Sequence, residues 1–297
     1  MRLRAEPVRG PVLRQAESPR WDARGDRLLW VDMGAGDLYM GHFSAGEIAV
    51  ERKVHVGGSV GFAAPLQNDG DGWICARERG IVHVSETGHV RVLQEEIADA
   101  GTQFNDGACD LSGTLWAGTQ SHSRVPDAAL FTVESDLAVR KRLEQVTVSN
   151  GLGFTPDGTR MYYIDTLPRR ALEVFDVENG ELINRRTLAR VEGGNPDGLA
   201  VDNENGVWVA VWDAGEVRHF DAQGSLTRVV EVAATRPTAV CLAGNTLVIS
   251  TARLGLERPT PLDGGFFAID VDVPGAPAQP WRADPQQLAH LRSTDAG

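Results

Sequence analysis

The stretch Asp202–Trp212 reads DNENGVWVAVW, in which a turn rich in Asp, Asn and Gly leads into an alternating apolar strand. Asp, Asn and Gly favour tight turns, and alternation of this kind suits a strand of a sheet. Five further segments have the same shape, a polar turn followed by a strand with an aromatic or branched residue near its centre: Asp22–Asp32, Asn68–Ala76, Asp110–Gly118, Pro156–Asp165 and Ala243–Thr251. One turn-and-strand unit therefore recurs along the whole chain.

The six units are evenly spaced. Their central residues are 43, 43, 47, 45 and 40 residues apart, namely Trp30, Trp73, Trp116, Tyr163, Trp208 and Val248. A period of about 45 residues, built from strands rather than helices, is typical of a propeller blade of four strands. The sequence therefore predicts an all-β, six-bladed β-propeller that occupies 1–297 as a single domain. A β-helix or a pair of sandwiches explains the period less well.

The segments between the units predict the outer hairpins and the closure of the ring. Pairs such as 81–84 with 90–93, 129–133 with 139–143 and 171–176 with 181–187 are expected hairpins. We expect Val8–Leu13 to lie beside Gly265–Val271, because closure removes an exposed strand edge. About the last 15 residues are expected to be loose, or to include a short helix over Pro285–Leu291.

Composition narrows the class of function. The chain has 29 Lys and Arg against 41 Asp and Glu, a net charge of −12, and no dense basic run. Because phosphate backbones and anionic membranes need a basic face, we expect neither nucleic acid nor a membrane as a partner. Cys75, Cys109 and Cys241 lack metal-ligand spacing and are expected to be buried free thiols. With no signal-peptide or membrane-spanning run apparent, the expected location is cytoplasmic, as a monomer or weak homo-oligomer.

The residues that begin the innermost strands ring one mouth of the predicted channel. At equivalent positions, 43, 45, 45, 47 and 41 residues apart, the chain has Glu17, Val60, Asn105, Asn150, Asp197 and Thr238. Four of these six carry carboxylate or amide oxygens. Oxygens that converge from separate blades suit a hard divalent cation, with coordination positions left for water and substrate. Asn and Asp before a strand are also common turn formers, so each residue taken alone fits turn chemistry as well.

At these residues the sequence resembles the senescence marker protein (regucalcin)/gluconolactonase/luciferin-regenerating-enzyme family. The resemblance runs nearly end to end and is carried by ESPRWD (17–22) with DRLLWVD (26–32), FNDGACDLSGTLWAGT (104–119), SNGLGFTPDGTRMYYIDT (149–166) and PDGLAVDNENGVWVAVW (196–212). It implies a six-bladed propeller with one divalent metal ion, of which Ca, Zn, Mn, Mg and Fe(II) all remain open.

The resemblance also implies roles for individual residues. The metal ligands of the family fall on Glu17, Asn150 and Asp197, and Asp197 takes the role of general base. A hydroxide bound to the metal is the alternative base. Asn105 falls beside the metal, facing the substrate.

The predicted substrate pocket departs from the family at two places. Sugar lactonases of the family often have Arg where this chain has Gln103, and a Glu shortly after the AGT segment, where this chain reads Gln120, Ser121, His122 and Ser123. Arg to Gln removes a permanent charge and a planar fork of donors. Gln103 and His122 are therefore the predicted substrate-binding residues beside Asn105, in an altered pocket.

Further candidates lie where the second strand of a blade returns to the same face, at Asp165, Thr166, Trp212 and Arg253. His122 fits either a second acid/base group or a solvated loop residue, and Trp212 either an apolar wall or packing between blades.

The predicted function is metal-assisted hydrolysis of a small, sugar-type lactone. Two alternatives remain open. One is a metal-dependent ester or phosphotriester hydrolase on the same propeller, and the other is a non-catalytic, calcium-binding regulatory propeller. No nucleophile motif of a serine hydrolase is apparent.

Overall fold

The structure is a computed structural model that describes residues 1–68 and 70–293. Two short strands, β1 (Arg2–Arg4) and β2 (Glu6–Val8), open the chain. The next strands form three four-stranded antiparallel sheets: β3 (Ala16–Asp22), β4 (Arg27–Asp32), β5 (Asp37–Ser44) and β6 (Glu47–His55); β7 (Val60–Pro65), β8 (Trp73–Arg77), β9 (Gly80–Val84) and β10 (Val90–Gln94); β11 (Thr102–Cys109), β12 (Leu115–Ser121), β13 (Ala128–Val133) and β14 (Val139–Val146).

Three further sheets follow: β15 (Ser149–Phe154), β16 (Arg160–Asp165), β17 (Ala171–Glu178) and β18 (Glu181–Arg190); β19 (Asn195–Val201), β20 (Val207–Trp212), β21 (Glu216–Phe220) and β22 (Leu226–Glu231); β23 (Pro237–Ala243), β24 (Thr246–Thr251) and β25 (Phe266–Asp270). A 3₁₀ turn spans Met33–Ala35, and the helix α1 spans Pro285–Ser293. The six sheets are the blades of a β-propeller, which confirms the predicted fold. The six central residues of the repeat lie on the second strand of their blades.

The core of the protein is divided among the six interfaces between blades. Each interface has its own cluster of buried apolar side chains. Trp30 of the first blade, for example, stacks on Tyr39 with ring centroids 5.4 Å apart and meets Phe266 of the last blade edge-on at 5.5 Å. A single blade cannot bury both of its faces, so the regular repeat is stable only as a closed ring.

The ring closes with earlier residues than the sequence predicts. β2, and not the Val8–Leu13 segment as a whole, pairs with β25, through Glu6 with Ala268 and Val8 with Phe266. Beyond Val8 the chain leaves this sheet, because Arg9 donates its backbone N–H to Gly46 of the first blade and Pro11 has no N–H to donate. β1 extends the fifth blade by pairing in parallel with β22.

The C-terminal segment packs across the ring. Trp281 is fully buried between the second and third blades, where its backbone N–H donates to the Pro65 carbonyl at 2.9 Å and its indole N–H to the Val133 carbonyl at 3.4 Å. The helix α1 includes the predicted Pro285–Leu291, and Leu291 is buried. Of the stretch expected to be loose, 283–293 is described as this ordered segment, and 294–297 lies outside the described residues. Within the described part of the chain, no helix is long and apolar enough to cross a membrane.

Candidate active site at one mouth of the channel

The six inner strands, β3, β7, β11, β15, β19 and β23, each contain a β-bulge near the same mouth of the channel. Register is interrupted between Glu17 and Arg20, Val60 and Phe62, Phe104 and Asp106, Ser149 and Leu152, Pro196 and Leu199, and Pro237 and Ala239. The six equivalent positions of the repeat therefore lie inside these bulges or at their edges. A bulge turns a side chain out of the normal alternation, which allows several blades to direct a polar group at one point.

Glycines beside the bulges bring the inner strands close together. A Cβ atom on Gly151 would lie 2.5 Å from the Leu199 nitrogen and 2.8 Å from the Asp197 carbonyl oxygen. One on Gly198 would lie 2.4 Å from the Cβ of Ala239. The strands of the last three blades thus pack backbone against backbone, and this close approach brings Asn150 and Asp197 to one wall of the same cavity.

The cavity at this mouth has a volume of about 330 Å³. It is lined by the predicted site residues Glu17, Gln103, Asn105, Asn150 and Asp197, together with Thr166 and Trp212. His122 does not line the cavity and is exposed, but its Nε2 lies 3.2 Å from Oε1 of Gln103. The amide nitrogen of Gln103 donates in turn to the Ser59 hydroxyl at 3.4 Å.

The surroundings of the two carboxylates in the cavity disfavour their charged forms. Burial, with a contribution from the charge of Asp106, raises the pKa of Glu17 to about 8. Burial and the charges of Glu17 and Asp106 raise the pKa of Asp197 well above its ordinary value. The Gln15 amide donates to Glu17 at 3.1 Å. Neither carboxylate forms an ion pair with any residue in 1–68 or 70–293.

The two asparagines form a hydrogen-bonded chain. Nδ2 of Asn105 donates to the Ser149 carbonyl at 2.8 Å and to Oδ1 of Asn150 at 3.3 Å. Nδ2 of Asn150 donates to the Thr166 hydroxyl at 3.0 Å, and that hydroxyl donates to the Pro196 carbonyl at 2.8 Å. Asn105 therefore keeps its amide oxygen available as an acceptor.

A second layer of charge lies below the carboxylates. Asp106 accepts hydrogen bonds from the Ser18 hydroxyl at 2.7 Å, the Gly107 N–H at 2.7 Å and the Arg20 guanidinium at 3.2 Å. Arg20 also donates to the Gly107 carbonyl. The opposite mouth beyond Arg20 is an apolar cavity of about 220 Å³, lined by Trp21, Phe154 and residues of the C-terminal segment.

The structure places two of the four further sequence candidates in the cavity and two outside it. Thr166 and Trp212 line the cavity, and Arg236 lies 4.9 Å from the Trp212 ring centroid on blade five. Asp165 faces a neighbouring cavity and accepts the backbone N–H groups of Thr147 and Val148. Arg253 is exposed and does not line the cavity.

Several residues of the site were not predicted, among them Gln15 and Ser59, which contact Glu17 and Gln103. Met33 and Leu254 add apolar wall, Arg124 adds a cation, and Arg20 pairs with Asp106. The only signal for Arg20 is its charge on an inner strand, within ESPRWD. Arg124 directly follows the stretch from Gln120 to Ser123 that departs from the family pattern.

The possible metal donors of the cavity are a mixture of titratable and non-titratable side chains. Among the residues that the structure describes, no cluster of three or more His, Cys, Asp or Glu side chains could hold a metal ion. The cavity instead combines two carboxylates with amide and hydroxyl oxygens, which is the kind of donor that hard cations prefer.

The fold and the cavity together define a six-bladed β-propeller with oxygen donors at one mouth of its channel. The family model described as SMP-30/Gluconolactonase/LRE-like region matches residues 15–253, and the chain belongs to this family.

Individual relatives agree with this assignment. The chain is 32% identical to regucalcin of Danio rerio, over 81% of this chain and 84% of that protein. It is 31% identical to a 6-deoxy-6-sulfogluconolactonase of Pseudomonas putida, over 87% of this chain and 92% of that protein. The crystal structure of regucalcin from Agrobacterium tumefaciens, described as a calcium-binding protein, has the same fold, with a TM-score of 0.86 at 22% identity, covering 95% of this chain and 98% of that one.

Proposed function

We propose that this protein is a metal-dependent lactonase that opens a small, sugar-type lactone. The observation that carries the proposal is the pair of desolvated carboxylates, Glu17 and Asp197, which line one cavity and form no ion pair with any residue in the described part of the chain. Kinship with a sugar lactonase supports the reaction class.

The residues present fit a divalent cation. Two poorly solvated negative charges without an ion-pair partner are unfavourable, and a hard dication that binds oxygen ligands would neutralise both of them. Glu17, Asn150 and Asp197 would hold it, with Asn105 beside them. When bound, the cation would act as a Lewis acid on the lactone carbonyl. Kinship with regucalcins is consistent with calcium, and Zn, Mn, Mg and Fe(II) suit the same donors.

Asp197 is the proposed general base. It would accept a proton from a water molecule as the water oxygen forms its bond to the carbonyl carbon. The ring C–O bond then breaks, and the ring oxygen receives the proton, leaving a hydroxy acid. Asn105 would accept a hydrogen bond from a substrate hydroxyl through its free amide oxygen, because both of its N–H groups are already engaged.

The altered rim favours a second candidate within the same chemistry, a metal-dependent ester or phosphotriester hydrolase. Gln103, which replaces a permanent charge, is held by Ser59 and His122, and Met33, Trp212 and Leu254 make part of the cavity apolar. Such a wall would accept substrates with few hydroxyl groups.

The test is to strip the protein with a chelator, add each divalent metal back, and follow acid release from five- and six-membered sugar lactones, aryl esters and phosphotriesters. The wild type should hydrolyse lactones only with metal. Asp197→Asn should lower kcat by roughly 10²- to 10⁴-fold, the usual contribution of a general base. Asp221→Asn, the same chemical change in a partly exposed turn of the same blade, is the matched control.

Metal-independent turnover, or an Asp197→Asn variant as active as the control, would overturn the lactonase proposal. Preference for aryl esters or phosphotriesters would favour the second candidate. Tight metal binding without turnover of any substrate would indicate a non-catalytic, calcium-binding regulatory propeller.

A further inference from the structure

One cation faces the cavity. Among the lining residues, all of which lie in the described part of the chain, Arg124 alone carries a permanent positive charge. Its guanidinium forms no hydrogen bond or ion pair with any residue in 1–68 or 70–293. Arginines elsewhere in the protein are commonly paired, as Arg142 is with Glu181 and Arg185 with Glu173. Arg124 is therefore available to a ligand.

The turn that carries Arg124 is fixed by its own hydrogen bonds. The backbone N–H of Arg124 donates to the Ser121 carbonyl at 3.3 Å, and Ser121 Oγ accepts the N–H of Val125 at 3.2 Å. Arg124 has a φ of 55°, in the left-handed region that disfavours residues with a Cβ atom. The turn follows directly on β12, whose inner neighbour β11 carries Gln103 and Asn105. The backbone of Arg124 is therefore fixed at the end of the strand next to β11, and its exposed side chain lines the same cavity as Gln103 and Asn105.

The other permanent charges around the cavity are balanced. Asp106 is paired with Arg20 at 3.2 Å, and the divalent cation of the proposed function would balance Glu17 and Asp197. With these charges balanced, Arg124 gives the cavity one excess positive charge. The chain has a net charge of −12, so its overall field repels anions. The excess positive charge of this cavity would instead attract an anion.

Arg124 also faces a second cavity, of about 680 Å³, between the third and fourth blades on the same face of the ring. This cavity contains a further guanidinium, that of Arg169, 3.5 Å from Glu173. The carboxylate that lines it, Asp165, is already engaged by two backbone N–H groups. A group that projects from the first cavity toward the second would thus meet Arg124 on the ridge between them.

We propose that Arg124 forms an anion subsite of the active site, and that the preferred substrate is a lactone bearing a carboxylate, sulfonate or phosphate group away from its ring carbonyl. The inference rests on the lactonase function proposed above. A planar guanidinium can bind two oxygens of such a group at once, which fixes the orientation of the substrate as well as its charge. The rim of the cavity would then still carry one cation, at Arg124, although Gln103 is uncharged at the position where sugar lactonases of the family often have Arg.

The experiment compares two pairs of lactones that differ by an anionic group: glucono-1,5-lactone with its 6-phosphate, and glucono-1,4-lactone with glucaro-1,4-lactone. With metal present, the wild type should have a kcat/KM that is higher for the anionic member of each pair. Arg124→Gln should lower the ratio of anionic to neutral kcat/KM by roughly ten-fold or more, the effect of losing a charged hydrogen-bond partner, mainly through KM. Arg124→Lys should retain part of the ratio.

Arg258→Gln is the matched control, since it removes the same charge from an exposed position outside the cavity, and it should keep the wild-type ratio. Equal melting temperatures of the variants would confirm that the fold is intact. A wild type with no preference for the anionic members, or a ratio unchanged in Arg124→Gln, overturns the anion subsite and leaves the lactonase function standing. Failure to hydrolyse any of the four lactones overturns both.

Discussion

The hydroxyl of Thr166 determines which way round the side-chain amide of Asn150 lies. A hydroxyl has one proton to donate, and Thr166 donates it to the Pro196 carbonyl at 2.8 Å. Its oxygen can therefore only accept from Asn150, at 3.0 Å, and the amide nitrogen of Asn150 must face Thr166. The amide oxygen consequently faces away from Thr166 and lies 3.3 Å from Nδ2 of Asn105, and this oxygen is the atom of Asn150 that a hard cation would bind.

Thr166→Val should therefore weaken metal binding. The valine is similar in shape but cannot accept from Asn150, so the amide loses the contact that fixes its orientation. Partners that orient a metal ligand typically contribute roughly 10- to 100-fold to metal affinity, and we expect a loss in this range by calorimetric titration of the chelator-treated protein with Ca²⁺ and Mn²⁺. Thr166→Ser keeps the hydroxyl and should bind like the wild type. Equal affinities of the valine and serine variants would contradict this account.

Glu17 should make the metal-free protein less stable as pH rises. Its pKa is raised from 4.5 to about 8 by burial, so the folded protein binds more protons than the unfolded chain between these values. The stabilisation is complete below pH 4.5 and is lost as pH rises toward 8, by up to about 1.4 kcal/mol per pH unit for one proton. Asp197, whose pKa is also raised, acts in the same direction.

The measurement is the melting temperature in chelator from pH 5 to 8, with Glu17→Gln as the comparison, over about the range in which this carboxyl changes charge. The advantage of the glutamine variant over the wild type should grow with pH, and added divalent cation should abolish it. A difference that stays constant with pH would show that Glu17 titrates normally.

The Arg20–Asp106 pair should show strong coupling in a double-mutant cycle. Both side chains are largely buried, with 15% and 10% of their surfaces exposed. Arg20→Met leaves the Asp106 carboxylate buried beside two further acids, and removal of one partner of a buried pair typically costs about 3–5 kcal/mol. Adding Asp106→Asn should recover much of this loss in urea unfolding, because no unpaired charge then remains. Additive effects of the two substitutions would show that the pair is not coupled.

Trp281 should anchor the C-terminal segment to the ring. Its side chain is fully buried between the second and third blades, and replacing a buried Trp by Ala typically costs about 3–5 kcal/mol. We expect Trp281→Ala to lower the free energy of unfolding by this amount. Leu262→Ala, at an exposed position, is the control and should have little effect. Similar stability of the two variants would mean that the segment contributes nothing to the ring.

The blades could be predicted because their signals are local. A turn of Asp and Gly followed by a strand centred on Trp30 or Trp208 is readable in a dozen residues, and repetition gives the number of blades. The site positions could be predicted for the same reason, because Asn105, Asn150 and Asp197 recur in register with the blades. The bulges that direct them into one cavity have only a weak signal, the glycines that follow Asn150 and Asp197.

By itself, then, the sequence determined the six-fold β architecture and the oxygen-bearing residues that recur at one position of the blades. Only the tertiary structure decided that Glu6–Val8 completes the last blade, that Thr166 orients Asn150, that Arg20 balances Asp106, and that Arg124 faces the cavity. The physical reason is distance along the chain. Thr166 meets Asn150 across the hairpin of one blade, whereas the other relationships join groups that come together only when the blades pack into a ring. In neither case does a periodic pattern within one segment identify the partner.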